Sequence, residues 1–215
     1  MRESPTPDLA EEYALQAKGH TYVAGLDEAG RGAWAGPVCA AAVVLPLDRQ
    51  DLTVLLDGVR DSKLLTAHRR EALLPVIRDV AVAVGVGWAE PTYIDRFGVV
   101  AATCEAMSQA VQALNRQMPG QAEALLIDHL VLPRLNLPQR SLPKADSRCL
   151  TVAAASIVAK VARDDLMVAL DADYPGYGLA RHKGYGTEEH TRALRELGPA
   201  PIHRMSWRPM REKLV

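Results

Sequence analysis

The sequence has few cysteines, and their spacing excludes most cysteine-based architectures. Cys39, Cys104 and Cys149 are an odd number of residues at wide spacing, each among small apolar neighbours. This pattern predicts buried free thiols and argues against a disulfide framework or a zinc knuckle. At 48% hydrophobic residues over 215 positions, the chain can still form one substantial core.

No apolar run is long enough to cross a bilayer. The longest segments, 38–47, 80–89 and 152–158, are far shorter than the ~20 residues that a membrane-spanning helix needs. Residues 1–18 carry acids where a secretory signal has a basic start followed by an apolar run. We therefore expect a cytoplasmic protein without a membrane anchor, in which residues 1–18 and about the last ten residues are loosely attached.

Net charge is also low, at −1, so the total does not indicate a nucleic-acid-binding protein. The distribution is uneven, because from Gly178 onward eight Lys and Arg residues accompany only four Glu residues. This basic C-terminal part suits a phosphate-rich partner, although a charged helical face is more often simply solvated.

Hydrophobic patterning predicts an α/β fold. Strands are predicted at 21–26, 37–45, 80–89 and 124–127, and helices at 66–77, 91–117, 147–169 and 187–197. The proline-rich stretch 131–143 predicts a loop with at most one short edge strand. We expect one sheet whose early strands pair as hairpins and whose later strands run parallel.

Four acids lie where predicted strands end or a predicted helix begins. Asp27 and Glu28 follow the first strand, Asp128 ends the fourth strand, and Asp146 precedes the helix at 147–169. Adjacent strand residues point to opposite faces, so Asp27 and Glu28 share a site only if the chain turns at Glu28. Simpler explanations are a solvated strand end for the first pair and a helix N-cap for Asp146.

If the first and fourth strands are parallel neighbours, Asp27, Asp128 and Asp146 converge at the sheet edge where α/β proteins bind ligands. Converging carboxylates need cations, and their hard oxygens favour Mg²⁺ or Mn²⁺. Two such ions would activate a water and stabilise the leaving oxygen of a phosphodiester.

Several sequence blocks, in order, resemble the ribonuclease HII family. They are AGLDEAGRG at 24–32, AGPV at 35–38, DSKL at 61–64, AAASIVAKVARD at 153–164, HKGYGT at 182–187 and HRMSW at 203–207. Several blocks in order are more specific than one glycine-rich loop. The resemblance spans roughly residues 22–209 and implies a ribonuclease H-like mixed five-stranded sheet flanked by helices. We expect a single catalytic domain over 19–215, with a C-terminal helical extension from about residue 171.

The resemblance also implies an activity. It is hydrolysis of the RNA strand of RNA–DNA hybrids, and of ribonucleotide-containing DNA duplexes on the 5′ side of the ribonucleotide, leaving 3′-hydroxyl and 5′-phosphate ends. The family's four metal-binding carboxylates correspond to Asp27, Glu28, Asp128 and Asp146, which would hold two Mg²⁺ or Mn²⁺ ions.

Substrate contacts are implied in the same way. Gly30, Arg31 and Gly32 match the family's Gly-Arg-Gly motif, whose main chain binds the 2′-hydroxyl of the ribonucleotide. Tyr185 matches the tyrosine that stacks on the following sugar, although by itself it would be a surface anchor. We also predict that Lys63 and Lys183 contact the phosphate backbone, with solvated lysines as the alternative.

The chain departs from the family pattern at three positions. His129 and Ala145 stand where glycine is usual, and Trp207 stands where phenylalanine is common. His129 either faces solvent or contributes a proton-transfer or phosphate contact beside Asp128. For His182 and His190, a surface or packing role is favoured over metal binding.

The sequence also allows two alternative functions. Ribonuclease HIII has a similar core but an extra N-terminal substrate-binding domain, whereas about twenty residues precede the first predicted strand here. A protein that binds hybrids without cutting them is the other alternative, and the intact set of four carboxylates argues against it. We expect a monomer, and the sequence leaves open whether a replication clamp binds the tail at 208–215.

Overall fold

The computed structural model describes residues 6–211. Its strands are β1 (Val23–Ala29), β2 (Val38–Val44), β3 (Ala83–Ala89), β4 (Ala124–Asp128) and β5 (Gln139–Leu142). Its α-helices are α1 (Ala10–Gln16), α2 (Leu52–Leu55), α3 (Ala67–Val80), α4 (Pro91–Phe97), α5 (Val99–Asn115), α6 (Leu150–Asp173), α7 (Leu179–His182), α8 (Glu188–Leu197) and α9 (Arg208–Arg211). Two 3₁₀ turns lie at Ser62–Leu64 and Ala145–Ser147.

The strands form one sheet in the order β3-β2-β1-β4-β5. β2 pairs antiparallel with both β1 and β3, while β4 runs parallel to β1 and β5 runs parallel to β4. The predicted mixed sheet, with early hairpins and later parallel strands, is confirmed. Because β1, β4 and β5 run in the same direction, all three end at one edge of the sheet.

Two long helices cover the two faces of the sheet. Val23, Val43 and Leu126 point to the face that packs against α6, where Ile157 lies in the same buried cluster. Leu26 and Ile127 point to the opposite face, against Met107 and its neighbours on α5. The alternation of side chains along each strand thus divides the core into two layers.

The predicted helix at 91–117 is two helices in the structure. Gly98 has a φ of +83°, a left-handed conformation that suits glycine, and it separates α4 from α5. By contrast, α3 begins after Thr66, the predicted N-cap, and passes through Pro75 to Val80. None of the helices within residues 6–211 combines the length and the apolar character needed to cross a membrane.

The N-terminal segment also differs from the prediction of a loose attachment. Helix α1 is docked, with Glu12 and Leu15 buried. The N–H of Asp8 donates to Arg148 O at 3.0 Å, and the N–H of Leu150 donates to Asp8 O at 2.8 Å. Near the C-terminus, Met210 is buried as well. For residues 1–5 and 212–215 the prediction lies outside the described residues.

Candidate active site

The ends of β1 and β4 place Asp27 and Asp128 at the same edge of the sheet. Leu26 pairs with Ile127 in these parallel strands, so the two acids follow at neighbouring positions. Asp146 comes after β5, the next strand of the sheet, in the 3₁₀ turn Ala145–Ser147. The N–H of Ala145 donates to Asp128 Oδ1 at 3.1 Å, which ties the turn holding Asp146 to the end of β4.

The chain does not turn at Glu28, which was the condition for Asp27 and Glu28 to share a site. Strand β1 continues through both acids, with Asp27 paired to Ala41 and Glu28 paired to Ala40 of β2. The chain turns only at Gly30, where φ is +85°. Asp27 therefore points to the face covered by α6 and Glu28 to the face covered by α5, because side chains alternate along a strand.

Asp27 carries a buried carboxylate that is only half satisfied. Its Oδ1 accepts from the N–H of Glu28 at 2.8 Å, while Oδ2 has no hydrogen-bond partner within the described chain. Burial raises the pKa of Asp27 well above its usual range. The negative charge of Glu28 adds to this effect, and the charge of Asp146 makes a smaller contribution. Burial also raises the pKa of Glu28. The charge of Arg31 lowers this pKa and the charge of Asp128 raises it, but burial has the largest effect.

Asp146 is not a helix N-cap, which was the simpler explanation of its position in the sequence. Cys149 occupies the N-cap of α6, and Asp146 Oδ1 accepts from the hydroxyl of Ser147 at 3.3 Å. Its other oxygen, Oδ2, lies 3.6 Å from Lys63 Nζ. The carboxylate is therefore directed at the other charged groups of this edge.

Lys63 brings a positive charge to these acids from the 3₁₀ turn Ser62–Leu64. The turn is held by Asp61, whose side chain accepts from the N–H of Lys63, and by a 2.7 Å hydrogen bond from the hydroxyl of Ser156 to that of Ser62. Burial lowers the pKa of Lys63, but the charges of Asp27, Asp61, Asp146 and Glu28 outweigh this and raise it overall. The side chain is still 69% exposed, so the ammonium is accessible to a ligand.

The donor set has the chemistry of a site for hard divalent cations, although it is not drawn tightly together. Across residues 6–211, no three side chains of His, Cys, Asp or Glu are close enough to hold one ion. Alternation along β1 separates Asp27 from Glu28, and like charges repel. The orphaned Oδ2 of Asp27 and the raised pKa values of Asp27 and Glu28 nevertheless indicate uncompensated negative charge, which a cation would relieve. The assignment of the four acids as metal ligands stays a prediction.

The Gly30–Gly32 turn directly follows these acids. Its carbonyls at Gly30 and Arg31 accept from the guanidinium of Arg204, at 2.6 and 2.9 Å. The side chain of Arg31 lies back over Glu28, with Nη1 3.6 Å from Oε1. A Cβ on Gly32 would meet nothing within 4 Å, so the main chain there is open to an approaching molecule.

Tyr185 lies in the segment after α7. Its ring is 5.5 Å from Lys160 Nζ and 5.4 Å from the guanidinium carbon of Arg163. The ammonium of nearby Lys183 donates to Ala180 O, within α7, so the structure gives it a local helix-capping contact. The predicted roles of both residues in substrate binding stay predictions.

His129 has a left-handed backbone, with φ at +53°, which accounts for the glycine that is usual at this position in the family. Its side chain is 60% exposed, and Nε2 lies 4.0 Å from Asp128 Oδ1. His182 and His190 are buried packing residues. Two of the three cysteines, Cys39 and Cys149, are buried free thiols as predicted, and Cys104 is half-buried.

Sequence reasoning missed two residues that support this edge, Arg163 and Arg204. Both are fully buried and hold the loop that follows β1. Their sequence signal is their place in two blocks that resemble the family, at 153–164 and 203–207.

Comparison with known proteins identifies the family. The family model described as Ribonuclease HII matches residues 24–210. A ribonuclease HII from Chloroflexus aurantiacus is 50% identical over 209 residues, covering 97% of each chain. The crystal structure of ribonuclease H2 from Pyrococcus horikoshii is 28% identical with a TM-score of 0.72, covering 90% of this chain and 97% of that one. A structure of the PCNA:RNase HII complex from Archaeoglobus fulgidus matches with 29% sequence identity and a TM-score of 0.70. The match covers 87% of this chain and 95% of that one. The chain therefore belongs to the ribonuclease HII family of nucleases.

Proposed function

We propose that this chain hydrolyses the RNA strand of RNA–DNA hybrids and also cuts DNA duplexes on the 5′ side of an embedded ribonucleotide. The products would carry 3′-hydroxyl and 5′-phosphate ends. Membership of the ribonuclease HII family supports this proposal. The observation that carries it is the position of Asp27, Asp128 and Asp146 at one sheet edge, with a buried oxygen on Asp27 that has no partner among residues 6–211.

The proposed metal ligands are Asp27, Glu28, Asp128 and Asp146, for two Mg²⁺ or Mn²⁺ ions. When bound, such ions supply an activated water and stabilise the leaving oxygen of the phosphodiester. The contribution of the chain is to present acceptor-only oxygens from elements that are fixed by the sheet. Strands β1 and β4 fix Asp27, Glu28 and Asp128, and the Ala145 amide bond to Asp128 fixes the turn that holds Asp146.

Recognition of the ribonucleotide is assigned to the Gly30–Gly32 turn and to Tyr185. The open main chain at Gly32 allows close approach of a sugar, as required to bind a 2′-hydroxyl. Lys63 is the better placed of the two predicted phosphate contacts, because its ammonium is largely exposed beside Asp146. The ammonium of Lys183 already donates to Ala180 O and would have to leave that contact.

We further propose that residues 19–215 act as one catalytic domain and that the protein is a monomer. The Archaeoglobus fulgidus relative, seen in a complex with PCNA, raises the same question of a clamp contact for the tail at 208–215. Within that tail, residues 212–215 lie outside the described structure.

The proposed activity is tested with a DNA duplex that carries one ribonucleotide, incubated with the protein and Mg²⁺ or Mn²⁺. The expected result is a single cut 5′ of the ribonucleotide, abolished by EDTA, with an all-DNA duplex left intact. Binding of the duplex without any cut would overturn the proposal in favour of a non-catalytic hybrid-binding protein.

A further inference from the structure

Arg163 and Arg204 are the two largest side chains that are fully buried in the described chain. Their hydrogen bonds within residues 6–211 go to main-chain carbonyls, and neither guanidinium pairs with a carboxylate there. Burial of a cation without an anion is costly, so packing alone does not explain two of them side by side. The planar guanidinium, with its five N–H donors, suits the binding of several carbonyls at once.

The carbonyls belong to two segments of the proposed substrate site. Arg163 donates to Pro37 O at 2.9 Å, Ala35 O at 3.0 Å and Lys183 O at 2.9 Å. It therefore links the end of the loop 30–37 to the segment 183–186 that carries Tyr185.

Arg204 binds both the beginning and the end of the same loop. It donates to Gly30 O at 2.6 Å, Arg31 O at 2.9 Å and Gly36 O at 3.0 Å. Its own N–H donates to Trp34 O at 2.9 Å. The Gly30–Gly32 turn is thus attached to the rest of the loop through one side chain.

Main-chain contacts join the same segments. The N–H groups of Trp34 and Ala35 both donate to Gly184 O, at 2.8 and 3.2 Å, and the N–H of Gly36 donates to Ile202 O at 2.9 Å. A Cβ on Gly184 would lie 2.4 Å from Ala35 O, so the two segments approach more closely than other residues allow. Loop 30–37 and segment 183–186 therefore have little freedom to move independently.

We infer that Arg163 and Arg204 are positioning residues that fix the distance between the Gly30–Gly32 turn and Tyr185. This inference rests on the proposed function, in which the turn binds the 2′-hydroxyl and Tyr185 stacks on the next sugar. A fixed distance requires both contacts to be made in a single register, one at the ribonucleotide and the other at the sugar that follows it. The arginine pair therefore contributes to selectivity for a single embedded ribonucleotide, where every cut depends on that one register.

The test compares Arg163→Lys and Arg204→Lys with wild type on two substrates, a duplex with one ribonucleotide and a long RNA–DNA hybrid. Lysine keeps the charge but loses the planar set of donors. The quantity compared is kcat/KM for the single-ribonucleotide duplex divided by kcat/KM for the long hybrid. We expect this ratio to fall at least about tenfold in each variant, mainly because KM for the single-ribonucleotide duplex rises. Arg49 forms an exposed ion pair with Asp51, so Arg49→Lys is a matched control. Its ratio should stay within about twofold of the wild-type ratio.

A double variant tests whether Arg163 acts through the tyrosine. Arg163→Lys combined with Tyr185→Ala should show the same ratio as Tyr185→Ala alone, because the element being positioned is already gone. A merely structural role predicts that both substrates lose activity in proportion, so that the ratio is unchanged. An unchanged ratio in both lysine variants, with wild type active, overturns the inference; an inactive wild type refutes the proposed function instead.

Wild-type hydrogen exchange decides the question if the lysine variants do not fold. With the single-ribonucleotide duplex bound in EDTA, we expect the amides of Trp34, Gly36 and Arg204 to be slowed together, as one unit. Slowing confined to one of the three would overturn the inference.

Discussion

One carboxylate oxygen of Glu12 accepts two hydrogen bonds from Thr151, one from the N–H at 2.9 Å and one from the hydroxyl at 2.7 Å. Glu12 lies on α1 and Thr151 lies in the first turn of α6. Neighbouring Glu11 forms ion pairs with Arg140 at 2.7 Å and with Arg148 at 3.1 Å. These two arginines flank the turn that carries Asp146. Helix α1 therefore stabilises the segment that brings this acid to the sheet edge.

Replacement of Glu12 by alanine should destabilise the protein. The change removes two buried hydrogen bonds at the start of α6, so we expect the free energy of unfolding to fall by about 1–3 kcal/mol. Glu12→Gln should lose less, because an amide oxygen still accepts and no charge is buried. Urea denaturation measures both, with Glu196→Ala on the exposed side of α8 as the control. Equal stability of Glu12→Ala and the control would contradict the docked role of α1.

Asp27→Asn should abolish cutting and, at the same time, stabilise the fold at pH 7 in the presence of a chelator. Burial and the charge of Glu28 raise the pKa of Asp27, so the ionised group opposes folding above its unfolded pKa, and the amide removes that cost. We expect a higher Tm than wild type, with a difference that narrows as the pH falls and Asp27 takes up its proton. A lower Tm for Asp27→Asn at pH 7 would contradict this account.

The sheet and the positions of the four acids could be predicted because apolar runs and their ends are visible in the sequence. The path of β1 through Glu28 could not, since pairing with Ala40 and Ala41 of β2 decides where the strand ends. Arg163 and Arg204 were missed for a related reason. Their acceptors are main-chain carbonyls, which leave no side-chain pattern to detect. Gly98 gave a signal for the helix break, but apolar periodicity on both sides of it indicated one continuous helix.

Three buried histidines should make the folded protein less stable in acid. His190 Nδ1 lies 3.0 Å from Tyr185 O, and His190 Nε2 lies 3.0 Å from His203 Nε2. A carbonyl only accepts, so His190 carries its proton on Nδ1 and accepts from His203, with both rings neutral. Burial lowers the pKa of His190 to about 4 and also lowers the pKa of His182 and of His203.

Because the unfolded histidines bind protons first, the contribution of these histidines to stability should be complete above about pH 6.5 and decline as the pH falls from there towards 4. Urea unfolding between pH 8 and pH 5 measures the slope. We expect His190→Asn to have a shallower slope than wild type, while the exposed-histidine variant His68→Gln keeps the wild-type slope. Identical slopes in all three proteins would refute the neutral buried cluster.

Tyr185→Ala should mainly weaken cutting at single ribonucleotides. Loss of a stacking surface costs ~1–3 kcal/mol, which corresponds to roughly 5- to 150-fold in kcat/KM. Long hybrids offer many registers and should lose less. Tyr185→Phe keeps the ring and should behave as wild type on both substrates; equal losses on both substrates for Tyr185→Ala would count against a role at the RNA–DNA junction.

The central claim, that the carboxylates at the ends of β1, β4 and β5 carry the chemistry, is tested most directly by Asp146→Asn. The amide keeps an oxygen to accept from Ser147, so the fold should be retained. Binding and cutting of one duplex with a single ribonucleotide are measured side by side in Mg²⁺ or Mn²⁺. We predict that wild type cuts 5′ of the ribonucleotide, whereas Asp146→Asn binds the duplex comparably and does not cut it. Cutting by Asp146→Asn at close to the wild-type rate would contradict the account.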